Sequence, residues 1–448
     1  MRKTAGGIVL MCCLLPALLV ATGGSGQVIK AGVARVDITP PIPMWLTGYA
    51  SREKPATGVL QPIYAKALVL EQDRENRIII VTMDLLGISH AIVEDVFRQV
   101  SAKYGIRRSQ LLLNSSHTHS GPMIWPCLDV IYDFSEDNQR MVSVYSQQLT
   151  AHLVSVIDSA MHDLAPALLF SGHGQTDFAI NRRNVQYPGG PVDHDVPVLK
   201  VARPDGTLKA VLFGYACHNT TLVDDNYLIN GDYAGFAQAE IEKDNPGATA
   251  LFLMGCGGDQ NPAPRGTVAL AREHGDALAR EVERVLGGVL HPVRAPIRTD
   301  YKKVTLSFRP FDPAIYEKDI TGTDKFLQRR ARLMLEAYNR GWPLDKMPYV
   351  IQAVSFAHDL AILALSDEVV VDYSLAAKKA FKGENLYVAG YCNEVQCYIP
   401  SSRVLKEGGY EGGENMIYYG YPGPFADDVQ ARIDAAIRVV MKNVGEKP

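Results

Sequence analysis

Leu111-Leu112-Leu113-Asn114-Ser115-Ser116-His117-Thr118-His119-Ser120-Gly121-Pro122 starts as an apolar run of strand length and ends in two histidines one residue apart, followed by a Ser-Gly-Pro break. An apolar strand that stops at a polar, turn-forming tip puts its last side chains at a sheet edge, where the sites of α/β proteins tend to lie. Imidazole is the commonest protein ligand for zinc. If the extended geometry carries through the motif, His117 and His119 point to one face, because side chains alternate along a strand. On their own, two such histidines read equally well as hydrogen-bonding loop residues.

Working outward, the same pattern recurs. The Leu208 to Cys217 run ends at His218-Asn219-Thr220-Thr221. Ala248 to Met254 is an apolar strand that ends in Gly255-Cys256-Gly257-Gly258-Asp259-Gln260-Asn261-Pro262. Leu360 to Leu365, the second arm of a hairpin, ends at Ser366-Asp367-Glu368. Four apolar strands therefore end in residues of metal-binding or catalytic type, which points to one site assembled from several loops at one end of a sheet. Two histidines and a carboxylate make a zinc set that leaves room for water.

Between these strands lie segments of helical periodicity, among them Ile92 to Tyr104, Val142 to Leu164, Val268 to about Leu286 and Ala426 to Val444. A charged helical region spans about Asp324 to Arg340, and Asp232 is placed to cap a helix that runs to about Lys243. Ala179 to Asn184 reads as a polar break. Interleaved strands and helices predict an α/β fold. Hairpin signals such as Pro204-Asp205-Gly206 predict mixed β-sheets with flanking helices. There is no internal repeat and no linker that marks a boundary, so residues 27–448 read as a single domain.

The 448 residues carry a formal charge of −4 and are 47% hydrophobic, an ordinary balance for a globular enzyme. Nothing in that balance calls for nucleic acid or an anionic membrane as partner. Residues 1–26 read as a signal peptide: Arg2 and Lys3, an apolar core from Ile8 to Val20, then small residues to Gly26. Export to the periplasm or the extracellular space follows, with no stable membrane span beyond that segment. The five later cysteines are too few and too odd in number for a disulfide framework, although Cys392 and Cys397 are near enough in sequence to bridge.

These residues carry a resemblance. Ser115-Ser116-His117-Thr118-His119-Ser120-Gly121-Pro122 resembles the signature of the neutral (alkaline, non-lysosomal) ceramidase family. Gly32 to Pro40, Leu46-Thr47-Gly48-Tyr49-Ala50, Asn181-Arg182, His218 to Thr221 with Gly231-Asp232-Tyr233, and Gly258 to Pro262 resemble its further motifs in order. The similarity continues through Glu368, Tyr398 and Tyr410. It implies a zinc amidohydrolase, in which water activated by Zn2+ attacks the amide carbonyl of a small-molecule or lipid substrate. Position by position, it implies His117, His218, Glu368 and Tyr398 as zinc ligands, with His119, Arg182 and Tyr410 lining the catalytic pocket. His119 is then the general acid/base, Asp259 an orienter of loop amides, and Asp232 a helix cap.

Two features depart from the family pattern. Asn261 stands where the family has its proposed nucleophilic serine; Asn cannot be that nucleophile but can donate a hydrogen bond to an oxyanion. The chain also ends soon after the Gly408 to Gly413 motif and one helix, so a divergent member without the family's C-terminal β-sandwich is expected. Two other readings remain: a zinc esterase, lactonase or deacylase acting on a carbohydrate or small polar compound, and an inactive binding protein on the same scaffold.

Overall fold

Strands buried on both faces need apolar residues at every position, and that is what the runs above supply. In the computed structural model, which describes residues 28–382 and 385–447, they form three mixed sheets around a shared core. The predicted signal peptide, residues 1–26, lies outside the described residues.

The first sheet has the order Leu111–Ser115, Arg77–Met83, Tyr64–Glu71, Lys30–Asp37, Ala165–Pro166. The second runs Thr249–Met254, Leu208–Tyr215, Asp195–Ala202, Leu168–Gln175, His291–Val293. The third runs Ile297–Ser307, Lys346–Phe356, Leu360–Leu365, Leu386–Ala389. In each sheet one end pair is parallel and the other pairings are antiparallel.

Alternation sorts the side chains. Leu68 and Leu70, Leu212 and Leu251, and Ile362 and Phe356 turn inward to the common core. Their neighbours turn outward under helices. His90–Tyr104 and Glu136–His162 cover the first sheet, Asp232–Asp244 and Val268–Leu286 the second, Asp372–Ala380 and Val429–Asn443 the third. Burying one such Leu, Ile or Phe contributes about 1.5–3 kcal/mol, so the wrapped sheets form a rigid frame for the loops at their edges.

The parallel pairs place the site. Both strands of a parallel pair end at the same sheet edge, and the carboxyl ends of all three pairs meet. Asn114, fully buried, joins them: its Oδ1 accepts from Met254 N at 2.9 Å, and its Nδ2 donates to Gly390 O at 2.8 Å. One side chain thus links a strand end from each sheet.

The structure departs from the sequence-based expectations at several points. The helix expected from Val142 begins at Glu136, capped by Ser135. A further helix, Pro313–Ile320, precedes the charged helix Lys325–Asn339. Ala179–Asn181 is not a break but a short strand paired antiparallel with Gln260–Pro262. Cys392 and Cys397 are both free thiols, as are the other described cysteines. No helix among the described residues is long and apolar enough to cross a membrane.

Candidate metal centre

Three very short backbone pairings assemble the polar tips. Thr118 bridges Asn219 in parallel, which sets His117 and His119 beside His218. Glu368–Val369 pairs in parallel with Tyr398–Ile399 in the register Glu368 to Tyr398. Gln260 pairs with Asn181, which brings Asn261 next to Arg182. All eight residues singled out in the sequence therefore lie in one region.

His117 does not continue the strand. Its φ of 64° is left-handed, an uncommon conformation for a non-glycine residue. The two histidines still converge, with His119 Nε2 at 3.2 Å from His117 Nε2, but through a turn and not through strand alternation. Asp232, the first residue of a helix, and Asp367 and Tyr391 in loops are also at positive φ around the site, a clustering of strain typical of functional positions.

The hydrogen bonds settle the tautomers. His117 Nδ1 lies 2.7 Å from Leu86 O, and His218 Nδ1 lies 2.6 Å from Gly257 O. A carbonyl can only accept, so each Nδ1 carries a proton, and in the neutral ring each Nε2 presents a lone pair. Both lone pairs face Glu368 Oε2, at 3.0 Å from His117 and 3.2 Å from His218. Tyr398 Oη lies 3.1 Å from His218 Nε2.

Burial weighs against charge on Glu368, and His117 and His218 hold its carboxyl well below the usual range when their Nε2 atoms carry protons; without those protons the same nitrogens face the carboxylate as acceptors. Burial pushes the His218 pKa down to about 4. Neutral His218 and ionised Glu368 thus turn acceptors toward each other in a buried space. A cation resolves that conflict, and two imidazole nitrogens with a carboxylate oxygen are donors that zinc takes. The ligand atoms of His117, His119 and His218 all lie within 4.8 Å of one another.

His119 differs from the other two imidazoles. Its Nδ1 is buried with no hydrogen-bond partner, so nothing orients it as ligating histidines are usually oriented. Instead its ring packs on Gly48 (φ 100°), where an added Cβ would sit 2.5 Å from Nδ1. Tyr49 packs against the ring at 4.7 Å between centroids, and Arg52 grips the His119 backbone oxygen at 2.5 Å. Burial, then the neighbouring His117, lowers its pKa well below the ordinary value.

Arg182 organises the polar wall. It donates through Nε to Glu411 Oε1 at 2.7 Å and through one terminal nitrogen to Tyr398 Oη at 3.1 Å. Its other terminal nitrogen reaches Asn261 Oδ1 at 3.4 Å. Tyr410 stacks edge-on against Tyr398, 5.2 Å between centroids. Burial, then the Glu368 charge, holds the Tyr398 and Tyr410 hydroxyls protonated well above their ordinary range.

Asp259 holds loop amides as expected: it accepts from Val371 N and from the Asn181 side chain, each at 2.9 Å. Asp232 departs from its expected role. It occupies the first residue of the helix, not the cap, and its carboxylate binds Thr221 N at 3.1 Å and Leu222 N at 2.8 Å. It thereby fixes the loop after His218.

Sequence reasoning passed over three partners. Tyr419 and Tyr391 both hydrogen-bond Glu368, and Glu411 pairs with Arg182. Glu411 directly follows Tyr410, which was a signal within reach; the Tyr418-Tyr419 pair offered none.

Two cavities open on this centre. One of about 190 Å³ has aromatic and aliphatic walls that include Leu128, Ile131, Tyr418 and Tyr419. The other, about 450 Å³, is polar and is lined by Arg182, Thr220, Asn261, Arg265 and Glu411. His119, Tyr398 and Tyr410 line both.

Residues 29–268 match the family profile described as neutral/alkaline non-lysosomal ceramidase, N-terminal. The chain belongs to this ceramidase family. It is 27% identical over 285 residues to the neutral ceramidase of Pseudomonas aeruginosa, covering 58% of this chain and 41% of that protein. It is 26% identical over 222 residues to the neutral ceramidase of Mycobacterium tuberculosis, covering 46% of this chain and 34% of that one. The chain thus matches less than half the length of these ceramidases.

The fold is shared more widely than the sequence. A crystal structure of the Pseudomonas aeruginosa neutral ceramidase superimposes with a TM-score of 0.73 at 20% identity, over 94% of this chain and 76% of that one. A structure described as ceramidase complexed with C2 gives a TM-score of 0.74, also at 20% identity, over 93% and 76%.

Proposed function

We propose that the protein is an exported zinc-dependent hydrolase that cleaves an amide (N-acyl) bond. The observation that carries this reading is the set of lone pairs from His117, His218 and Glu368 turned toward one buried point. Relatives named ceramidases support an amide as the bond cleaved. The leader-like Arg2 to Gly26 segment supports export.

His117, His218 and Glu368 would hold the metal, with Tyr398 as fourth ligand. When bound, zinc supplies Lewis acidity that polarises an acyl carbonyl and acidifies water. The protein's own residues do the rest. His119 is neutral and turns Nε2 to the same point, so it takes the proton of the attacking water there. It returns that proton to the leaving amine as the C–N bond breaks and the water's oxygen stays on the acyl carbon.

Arg182 and Tyr410 stabilise the negative charge that develops on the carbonyl oxygen. Asn261 spends its carbonyl on Arg182, which turns its NH2 outward as a further donor. No serine stands at position 261, and in this mechanism none is required, because water is the nucleophile.

The polar cavity favours keeping a second reading, in which the same centre cleaves the ester, lactone or acyl group of a carbohydrate or small polar compound. Turnover of matched acyl amides, esters and acylated sugars by chelated and zinc-reloaded protein separates the two. Zinc-restored amide hydrolysis is the expected result. Restored turnover of esters alone would transfer the assignment to the second reading, and no turnover of any acyl compound would leave a binding protein.

A further inference from the structure

The polar cavity holds more hydrogen-bond donors than its own acceptors use. Its one lining carboxylate, Glu411, is satisfied twice, by Arg182 at 2.7 Å and by Arg183. Arg183 is further paired with Glu407 at 3.0 Å. Arg265 lines the same space, and among the described residues it has no ion-pair or hydrogen-bond partner. Thr220 lines it too, and its buried hydroxyl has no partner either. Asn261 adds its outward NH2.

Arg265 is exposed, but its loop is pinned. Pro264 O accepts from His274 Nε2 at 2.7 Å, and Gly266 N donates to Thr221 O at 2.7 Å. The backbone on both sides of Arg265 is therefore held against the loop that carries His218. A guanidinium on an anchored loop offers a fork that matches a carboxylate. An apolar chain placed here would strip water from Arg265 and Asn261 and give nothing back.

The neighbouring aromatic cavity is small. At about 190 Å³ it holds the volume of roughly six waters, which suits a short acyl group. We propose that the polar cavity receives the leaving amine of a short N-acyl substrate through a carboxylate carried on that amine, with Arg265 as its counter-ion. This rests on the acyl-hydrolase reading for the centre itself. It adds a substrate class, N-acyl amino acids and similar acylamino acids, and a specificity-determining residue.

The test compares two ligands that differ only in charge, N-acetyl-L-alanine and N-acetyl-L-alaninamide, by calorimetric binding to the purified full chain. The carboxylate is expected to bind about tenfold or more tightly than the amide. Arg265→Ala is expected to bring the two affinities within about twofold, and Arg265→Lys to restore part of the difference. Arg265 is exposed, so these variants keep the fold, and circular dichroism checks that they do.

Equal affinity for the two ligands, or no binding of either, would overturn the proposal. So would a preference that survives in Arg265→Ala, because the carboxylate would then be held elsewhere, for instance on the metal. Turnover is read separately. A carboxylate preference that depends on Arg265 but comes without hydrolysis of either compound would uphold the subsite while removing the hydrolase assignment.

Discussion

Asn114→Ala is the perturbation that most directly probes how the three sheets support the centre. The change leaves Met254 N–H and Gly390 C=O, both at strand ends deep in the fold, without the partners they now have at 2.9 and 2.8 Å. A buried group deprived of its hydrogen bond costs about 1–3 kcal/mol, and Gly390 O keeps the weak Cys392 Sγ donor at 3.2 Å, so the two together cost roughly 2–5 kcal/mol. With a urea slope of about 3 kcal/mol/M for a chain of this size, the midpoint falls by roughly 1 M. Asn114→Asp keeps an acceptor for Met254 N–H but turns a carboxylate oxygen toward Gly390 O, and is expected to be at least as damaging. Urea titration followed by tryptophan fluorescence, on protein stripped of metal, measures both variants. A midpoint for Asn114→Ala that matches the wild type would refute the idea that this side chain ties the sheets together.

Other perturbations separate the roles within the site. Arg182→Gln is expected to lower kcat by about 10²–10³-fold with zinc content unchanged; loss of the metal as well would make Arg182 part of the metal cage. Asn261→Ala is expected to cost at most about 10²–10³-fold, the worth of one donor, and complete inactivation would contradict water as the nucleophile. In metal-free protein, His218 has a folded pKa of about 4, below its ordinary 6.5. Between those values the folded state binds fewer protons than the unfolded, so stability rises with pH through the window and is lost as pH falls from 6.5 to 4. The loss amounts to at most about 3 kcal/mol. Stability curves from pH 4 to 7 should be flatter in His218→Asn than in the wild type, and identical slopes would refute burial of a neutral His218.

Much of the frame was legible in the sequence because long apolar runs and 3.6-residue periodicity carry strong signals. The helix Val268–Leu286 and the hairpin ending at Leu365 lie where the sequence predicts them. The helix from Glu136 was expected to begin later because its first turn is polar and exposed, and only the Ser135 cap marks it. The four strand tips were legible as a set, since each apolar run ends in His, Asp or Glu.

What joins those tips was not legible. The Glu368 to Tyr398 and Gln260 to Asn181 pairings span two or three residues, too few for alternation to register. The convergence of His117 and His119 depends on a left-handed residue that no pattern announces. Tyr391, in a loop, and Tyr419, at the end of the short helix Met416–Tyr419, reach Glu368 from 23 and 51 residues away, where only the tertiary fold brings them together.

The central claim is that His117, His218 and Glu368 form a metal-binding set. Elemental analysis of purified wild-type protein, alongside His218→Ala and Glu368→Gln, tests it most directly. One zinc per chain in the wild type is expected, falling below about a tenth of that in both variants while circular dichroism shows the fold retained. Wild-type protein that takes up no zinc from a zinc-containing buffer, or a Glu368→Gln variant that keeps its full complement, would contradict the account.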